Sequence, residues 1–572
     1  MLAYHPPLFL ACILLLSTDH AARAADPDLG VGSRTGLVVS SSEIASQIGA
    51  ATLRRGGNAV DAAVATAFAL AVTHPSAGNL GGGGFMVVRP PDGKATTFDY
   101  REMAPGRATP TMYLNSHGKI DRTLTSAGYL APGVPGTVRG MELAHRRFGK
   151  LPWRAVVMPA AELAERGFPV APALARELNA QLGGAMSRFP ASVAAYGKPG
   201  GGPWVGGDRL VLPDLAKCLH AIATDGAETF YTGWIADRIA ADMAANGGIL
   251  AKADLAAYRA KERTPVTGSF LGYDIISMPP PSSGGIALIE MLNMLEVLGI
   301  QNQPQGSVEA LHLVTEAMRR AFLDRARFLG DPDFVEVPVA RLTDKAHAAE
   351  LARTINLKKA SSSTDLGRDL ITAADDREPA ETTHFSVLDK DGMAVSNTYT
   401  LEGSYGSHVV IKGTGILMNN EMGDFNQQPG TTNLTGDIGT PANRIAPGKR
   451  MLSSMTPTIV TRDGKVVLIT GSPGGRTIIN TVGNIVLNVT AWGMTGRAAV
   501  DAPRTHHQWL PDQLTIEAGG VSAATLAQLK ALGHDVRMQG RQGSAQSIWI
   551  QPTTGDPYGV VDHRDPTAGA GK

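Results

Sequence analysis

The stretch EPAETTHFSVLDKDGMAVSNTYT, from Glu378 to Thr400, combines the two signals that decide the fold. After a polar segment, two runs of strand-forming residues flank Asp391-Gly392, a dipeptide typical of a hairpin turn. With the loop centred on Asp391, Thr382 and Thr400 are equally distant from the centre and lie opposite each other on adjacent strands. Opposite residues in a hairpin have Cβ atoms roughly 5 Å apart. The sequence therefore predicts two neighbouring threonine hydroxyls.

The segment before this hairpin divides the chain in composition. Residues 357–381 contain few apolar side chains, which predicts a boundary at their end. Upstream, the patterns predict two helices between about residues 41 and 72, a mainly helical stretch over 150–260 and a helix-rich stretch over 283–327. Downstream, strands are more frequent, and a strand, a glycine turn and a helix follow one another around GSPGG. Together these elements predict an α+β protein.

The bulk composition limits the class of protein. The 572 residues exceed the size of a single small core, and 43% hydrophobic with 18% charged residues is typical of a globular chain. Lys+Arg and Asp+Glu both number 52, so the formal net charge is zero. This balance argues against nucleic acid or an anionic membrane as a partner.

The first residues predict export. LFLACILLL (Leu8–Leu16) is apolar but too short to span a bilayer, and Ala22-Arg23-Ala24 offers a small-x-small cleavage site, although the preceding region lacks Lys and Arg. We therefore expect a signal peptide over residues 1–24, a periplasmic or extracellular location and no membrane span in the mature chain. Only Cys218 remains after removal of this segment, and its helical apolar surroundings predict a buried structural thiol.

Nine ordered motifs identify the family that the chain resembles. They are GNLGGGGFMVV, FDYREMAP, PPPSSGG, TTHFSVLDKDG, GILMNNEMGDF, MLSSMTPTIV, TGSPGG, APRTHHQWLP and GSAQS, and they span about residues 35 to 565. This set resembles the γ-glutamyltranspeptidases, which are N-terminal-nucleophile hydrolases. The resemblance implies a four-layer αββα sandwich and a precursor that cuts itself into two subunits.

By resemblance, the cut falls between Glu381 and Thr382, giving a large subunit (25–381) and a small catalytic subunit (382–572) that form one αββα unit. The Thr382 hydroxyl would attack the Glu381 carbonyl, and water would release the resulting ester. The product carries a free α-amine on the same residue as the hydroxyl. Such an amine has a pKa of roughly 7.7–8.0, so its neutral form is a usable general base.

The remaining catalytic roles are also carried over from the resemblance. Thr400 corresponds to the threonine that hydrogen-bonds the nucleophile, in agreement with the predicted hairpin. Gly474 and Gly475 correspond to the pair whose backbone N–H groups form the oxyanion hole. Their position between a predicted strand and helix also favours an anion, because N–H groups point outward there.

The expected substrate site pairs one cation with several acids. Arg101 corresponds to the arginine that binds the substrate α-carboxylate, and a guanidinium can hold a carboxylate with two hydrogen bonds. The other expected substrate-binding residues are Ser453 and Ser454 for that carboxylate, Glu421 and Asp424 for the α-ammonium, and Glu402, where many members have asparagine. Without the resemblance, a lone arginine or two adjacent serines would indicate only a surface or a loop. The segment Pro429–Arg444 has the length of the family's lid loop, with Thr435 where some members place tyrosine.

These residues predict a γ-glutamyltransferase and glutathione hydrolase that needs no cofactor and no metal. The expected partners are glutathione and other γ-glutamyl compounds, with water, amino acids or peptides as acceptors, and the two subunits form a heterodimer. One alternative is an acylase of the same superfamily that acts on glutaryl or cephalosporin-type amides. The other is an exported binding protein that is never processed.

Overall fold

The computed structural model describes residues 28–372 and 382–572. The predicted signal peptide and Glu381 lie outside these ranges. In chain order the strands are Val31–Gly32 (β1), Gly36–Ser40 (β2), Gly83–Arg89 (β3), Thr96–Tyr100 (β4), Phe168–Pro169 (β5), Arg209–Leu210 (β6), Lys261–Arg263 (β7), Val266–Phe270 (β8), Tyr273–Ser277 (β9), Thr383–Asp389 (β10), Ala394–Thr400 (β11), Thr458–Arg462 (β12), Lys465–Thr470 (β13), Thr505–His506 (β14), Leu514–Glu517 (β15), Val536–Gln539 (β16), Gln546–Ile550 (β17), Pro557–Val561 (β18) and Gly569–Gly571 (β19).

The α-helices of the described residues flank these strands. They are Glu43–Arg54 (α1), Ala59–Thr73 (α2), Arg122–Ser126 (α3), Thr137–Phe148 (α4), Trp153–Arg166 (α5), Pro172–Gly183 (α6), Pro190–Tyr196 (α7), Pro213–Asp225 (α8), Glu228–Tyr231 (α9), Trp234–Ala245 (α10), Lys252–Ala257 (α11), Gly284–Val297 (α12), Val308–Phe328 (α13), Val339–Leu342 (α14), Lys345–Arg353 (α15), Ser363–Leu366 (α16), Thr477–Thr490 (α17), Gly496–Asp501 (α18) and Ala523–Ala531 (α19).

Two sheets, each seven-stranded within the described residues, form the centre of the molecule. Their strand orders are β19-β2-β10-β11-β3-β4-β7 and β1-β18-β17-β13-β12-β9-β8. Leu37 and Val39 of β2 pack in the apolar layer between the sheets, with residues such as Ile459 and Ile548 of the second sheet. Val38, between them in sequence, faces the opposite way and packs against α2. This alternation follows from the period of a strand, and it leaves both faces of the sheet covered.

The outer layers are helical. One apolar core joins the first sheet to α2, α4, α5 and α8, and another joins the second sheet to α12, α13 and α17. The predicted α+β class and the four-layer αββα sandwich are therefore confirmed. The two helices expected near residues 41–72 are α1 and α2. Ser42 caps the first, and Asn58 forms a capping box with Asp61 at the start of the second.

The hairpin of the opening stretch lies in the middle of the first sheet. Its antiparallel register runs from Thr383 opposite Tyr399 to Leu388 opposite Ala394. One step further outward, this register sets Thr382 against Thr400, as the sequence predicts. Because both strands have neighbours on their outer sides, the two threonines are attached to a rigid part of the sheet.

Two smaller sequence expectations concern Cys218 and membrane-spanning helices. Cys218 is fully buried, its thiol donates a hydrogen bond to the Thr414 carbonyl at 3.3 Å, and burial raises its pKa to about 12. It is a structural thiol, because the reactive form is the thiolate. Across residues 28–372 and 382–572, no helix combines the length and the apolar character that a membrane span requires.

Candidate active site

The two threonines line one cavity at the end of the β10–β11 hairpin. Thr382 is 6% exposed and Thr400 is 2% exposed, and both contribute to the cavity wall. The Thr400 hydroxyl oxygen accepts the backbone N–H of Glu402 at 2.8 Å, and its carbonyl accepts from the Asn79 side chain at 2.8 Å. A hydroxyl whose oxygen already accepts from a backbone amide can donate its proton to a neighbouring acceptor. Thr400 is thus fixed in a position suited to orient Thr382.

The glycine run Gly81–Gly84 brings backbone segments unusually close to this hairpin. A Cβ on Gly82 would lie 2.0 Å from the Thr400 carbonyl oxygen, and one on Gly84 would lie 2.4 Å from the Thr398 carbonyl oxygen. No side chain fits at such distances, so these positions require glycine. The structure thus shows a tight approach of backbone segments at this glycine run.

Gly474 and Gly475 form the turn between β13 and α17. Their φ angles are +127° and +56°, and a Cβ on Gly474 would lie 2.5 Å from the Thr477 hydroxyl oxygen. Gly475 lines the same cavity as Thr382. Thr477, the first residue of α17, donates its hydroxyl to the Gly474 carbonyl at 2.7 Å and so holds the turn in place. The turn lies at a helix N-terminus, where free N–H groups attract negative charge.

Arg101 follows β4 and is held in place by its own backbone. Its side chain and backbone together are 0% exposed, its N–H donates to Asp99 at 3.0 Å, and its carbonyl accepts from the Tyr258 hydroxyl at 2.8 Å. The guanidinium Nε donates to the Met451 carbonyl at 3.3 Å. These contacts aim the two terminal nitrogens into the cavity.

The terminal nitrogens of Arg101 meet the acids that were expected to bind the substrate ammonium. Nη1 lies 2.6 Å from Glu421 Oε2, and Nη2 donates to Asp424 Oδ2. Burial alone lowers the pKa of Arg101, but Glu421, Asp424 and Glu102 outweigh it and raise the pKa above its usual value. The cavity therefore contains, side by side, a fixed cation and fixed anions, the complement of an amino acid's α-carbon.

Acidic groups outnumber the cation in this part of the cavity. Glu102 is 0% exposed, lies 3.5 Å from Arg101 Nη1, and neither of its carboxylate oxygens has a hydrogen-bond partner among the described residues. Burial raises the pKa of Glu102 to about 8, and burial also raises that of Glu421 well above its ordinary value. Glu402 adds a further carboxylate beside Gly423, because a Cβ added to this glycine would lie 3.3 Å from Glu402 Oε1. This surplus favours a cationic group on the ligand.

Ser453 and Ser454 line the same cavity as Glu421 and Asp424. Ser453 is 1% and Ser454 8% exposed. The Ser453 hydroxyl oxygen accepts the N–H of Met455 at 3.1 Å, and the Ser454 hydroxyl oxygen accepts from Arg325 Nη2 at 3.0 Å. Both oxygens are therefore already acceptors, which leaves their protons for other partners.

The loop Pro429–Arg444, here called the covering loop, borders the cavity through Thr431, Asp437, Ile438, Thr440 and Asn443. Arg476, directly after the glycine turn, donates to the Gly436 carbonyl at 2.7 Å, and Arg122 pairs with Asp437 at 2.7 Å. The hydroxyl of Thr435 instead bonds within the loop, to Asn433 at 3.0 Å. Two arginines outside the loop thus contribute to holding it, whereas the Thr435 hydroxyl bonds within the loop.

The structure brings all the described site residues predicted from sequence to one end of the sandwich. It also adds Glu102, Arg325 and Arg476, which sequence analysis did not assign. Glu102 stands next to Arg101 in the motif FDYREMAP, so its position in a quoted motif was the available signal. Arg325 and Arg476 reach the cavity from α13 and from the start of α17, and no local pattern marks them.

Comparison with known proteins decides the family. The family model described as Gamma-glutamyltranspeptidase matches residues 45–572. The chain belongs to this family. A relative from Escherichia coli (strain K12), named glutathione hydrolase proenzyme, is 47% identical over 542 residues, which cover 94% of this chain and 92% of that protein. As a member of this family, the chain is an enzyme of the N-terminal-nucleophile class, as the resemblance implied.

Acylases are related to this γ-glutamyltranspeptidase family member as well. The Acylase ACY 1 proenzyme of Pseudomonas sp. (strain SE83) is 40% identical over 528 residues, covering 91% of this chain and 90% of that protein. The crystal structure of cephalosporin acylase from Bacillus halodurans superimposes with a TM-score of 0.82 at 27% identity, covering 97% of this chain and 99% of that one. The fold is therefore shared by two substrate classes, and the site must distinguish them.

Proposed function

We propose that this protein is an autoprocessed γ-glutamyltransferase and glutathione hydrolase with Thr382 as its nucleophile. One observation carries the proposal: in the cavity that Thr382 lines, the buried guanidinium of Arg101 pairs with the buried Glu421 and the partly buried Asp424. The α-carbon of a γ-glutamyl group carries a carboxylate and an ammonium, which can replace the internal partners of these groups one for one.

The proposed binding step separates Arg101 from its acids. The substrate α-carboxylate accepts hydrogen bonds from the terminal nitrogens of Arg101 and from the hydroxyls of Ser453 and Ser454. The α-ammonium donates hydrogen bonds to the carboxylates of Glu421 and Asp424, and Glu402 lies close to it. Because each buried group exchanges one partner of opposite charge for another, the substrate does not leave a buried charge unpaired, whereas an analogue lacking either charge does.

The proposed chemical steps use the terminal threonine twice. The α-amine of Thr382 accepts the proton of its own hydroxyl as the oxygen attacks the γ-carbonyl carbon. The N–H groups of Gly474 and Gly475 stabilise the negative oxygen of the tetrahedral intermediate, and Thr400 orients the nucleophile. The amide nitrogen leaves with the proton, and a γ-glutamyl ester on Thr382 remains. Water, an amino acid or a peptide amine then attacks this ester and regenerates the hydroxyl.

We also propose that the active form arises by cleavage between Glu381 and Thr382, into fragments 25–381 and 382–572, after export and removal of residues 1–24. Support comes from the apolar run near the N-terminus and from the position of Thr382 directly before the central strand β10. It also comes from the word proenzyme in the name of the E. coli relative. An interior threonine lacks the free amine, so the proposed mechanism requires this cut.

A pair of anilide substrates tests the proposal against the acylase alternative. γ-Glutamyl-p-nitroanilide and glutaryl-p-nitroanilide differ only by the α-ammonium, which Glu421 and Asp424 would bind. We expect the γ-glutamyl compound to be turned over with a kcat/KM at least about 100-fold higher, the scale of two buried charges left unpaired. Equal turnover of the two would contradict the proposed substrate class, and Thr382→Ala should abolish both activities.

A further inference from the structure

Arg325 lies in the last turn of α13 and lines the same cavity as Thr382. Its Nη2 donates to the Ser454 hydroxyl at 3.0 Å, and its Nε donates to the Ser283 hydroxyl at 2.9 Å. One planar guanidinium thus connects two serines that lie far apart in sequence.

The direction of these hydrogen bonds fixes the direction of the serine protons. An arginine side chain only donates, so the Ser454 oxygen is the acceptor in its contact with Arg325. The Ser454 side chain has a single proton, which must point toward another acceptor. Because the residue is buried in the cavity wall, a ligand carboxylate in the cavity is such an acceptor.

Arg325 also supports Ser453 indirectly, through Ser283. The Ser283 hydroxyl accepts from Arg325 Nε and donates to the Ser453 carbonyl at 2.6 Å, and the Ser283 N–H donates to the same carbonyl at 2.8 Å. Ser283 is 0% exposed, so this connection is shielded from water. The backbone of Ser453 and the hydroxyl of Ser454 are therefore both tied to one side chain on α13.

We infer that Arg325 is a positioning residue for the carboxylate end of the substrate: it orients the Ser454 hydroxyl as a donor and holds the backbone of Ser453. The inference rests on the proposed γ-glutamyl substrate. The positioning role requires the two separated donors of the Arg325 guanidinium. Lysine, with one ammonium, therefore replaces Arg325 only in part.

A double-mutant cycle tests whether Arg325 acts through Ser454. The variants are Arg325→Met, Ser454→Ala and the two combined, with γ-glutamyl-p-nitroanilide as substrate. We expect Arg325→Met to raise KM by about 10- to 100-fold, the scale of one hydrogen bond to a charged group, with a smaller change in kcat. Because both substitutions remove the same interaction, the KM of the double variant should be little higher than that of Ser454→Ala alone.

Two controls separate positioning from loss of folding. Arg327→Met alters the next arginine of α13, which pairs with the exposed Asp369, and should leave KM unchanged. With 4-aminobutanoyl-p-nitroanilide, Arg325→Met should raise KM by less than about twofold. This substrate lacks the α-carboxylate, so the Ser454 hydroxyl has no carboxylate to bind. If Arg325→Met fails to process into two fragments, Arg325→Lys takes its place in the cycle, with a smaller rise in KM expected.

The outcomes distinguish this inference from the proposed function. If the increases in KM of the two single variants multiply in the double variant, Arg325 contacts the substrate independently of Ser454. If KM is unchanged in Arg325→Met, Arg325 plays no part in binding. Either result overturns the positioning role while leaving the proposed reaction intact. Absence of γ-glutamyl turnover by the wild-type protein would refute the proposed function, and this inference with it.

Discussion

Replacing Arg101 by methionine is the perturbation that most directly tests the charge pattern of the site. Methionine fills much of the same volume but removes the cation that now faces Glu421 at 2.6 Å and Glu102 at 3.5 Å. The substrate α-carboxylate then loses the guanidinium proposed to bind it and meets the carboxylates of Glu421 and Glu102 instead. We expect γ-glutamyl turnover to fall mainly through a weaker affinity for substrate.

The size of the effect follows from the burial of Arg101. The residue is 0% exposed, so its interactions with a bound carboxylate are shielded from water. Truncating one partner of a buried charge pair costs about 2–5 kcal/mol. That range corresponds to a loss in kcat/KM of about 30- to 4,000-fold, and we expect the upper half of it because the guanidinium can make two hydrogen bonds to one carboxylate.

The assay compares γ-glutamyl-p-nitroanilide with 4-aminobutanoyl-p-nitroanilide in wild type and in Arg101→Met. The wild-type preference for the carboxylated substrate should shrink by about the factor lost in kcat/KM. Arg166→Met is the matched control, because the Arg166 side chain is 74% exposed and pairs with Glu162 on the surface. Both variants should still yield two fragments on a denaturing gel. If Arg101→Met keeps the wild-type preference between the substrates, Arg101 does not bind the carboxylate and the site is assigned incorrectly.

Three further predictions concern the nucleophile, the turn and stability. Thr400→Ala should lower kcat by about 10- to 100-fold, with KM little changed, since one hydrogen bond to the nucleophile is lost; an unchanged kcat would exclude the orienting role. Gly474→Ala should slow both processing and turnover, because a Cβ there meets the Thr477 hydroxyl at 2.5 Å; wild-type rates would contradict an oxyanion role for this turn. Burial lowers the pKa values of His506 and His507 from 6.5 to about 4. The unfolded chain therefore binds more protons between these values, and the free energy of unfolding should fall on acidification from about pH 6.5 to pH 4, by up to about 1.4 kcal/mol per pH unit for each histidine. Urea unfolding at pH 7 and pH 5 measures this loss, and His507→Gln should reduce it; an identical pH dependence in that variant would contradict the assignment.

Sequence patterns predicted the features of the fold that depend on local chemistry. The Asp391-Gly392 turn sets the register of β10 and β11, so the meeting of Thr382 and Thr400 follows from counting residues. The strand, glycine turn and helix around Gly474 are likewise encoded in one continuous segment. In both cases the turn residues are compatible with few backbone conformations, which is why the prediction succeeds.

The electrostatics of the site could not be predicted in the same way. The ion pair between Arg101 and Glu421 joins residues more than 300 positions apart, and its existence depends on how two layers of the sandwich meet. The resemblance assigned these groups to opposite ends of the substrate, and only the structure shows that they pair with each other. Arg325 escaped notice for a similar reason: an arginine in a helix is usually exposed, and only the packing of α13 brings this one to Ser454.

The identity of the first residue of the smaller fragment tests the central claim most directly. Intact mass and N-terminal sequencing of the purified protein should give two fragments, the smaller beginning at Thr382, and Thr382→Ala should remain a single chain. A smaller fragment that begins at any other residue, or cleavage that persists in the alanine variant, would contradict the account of a threonine that supplies its own base.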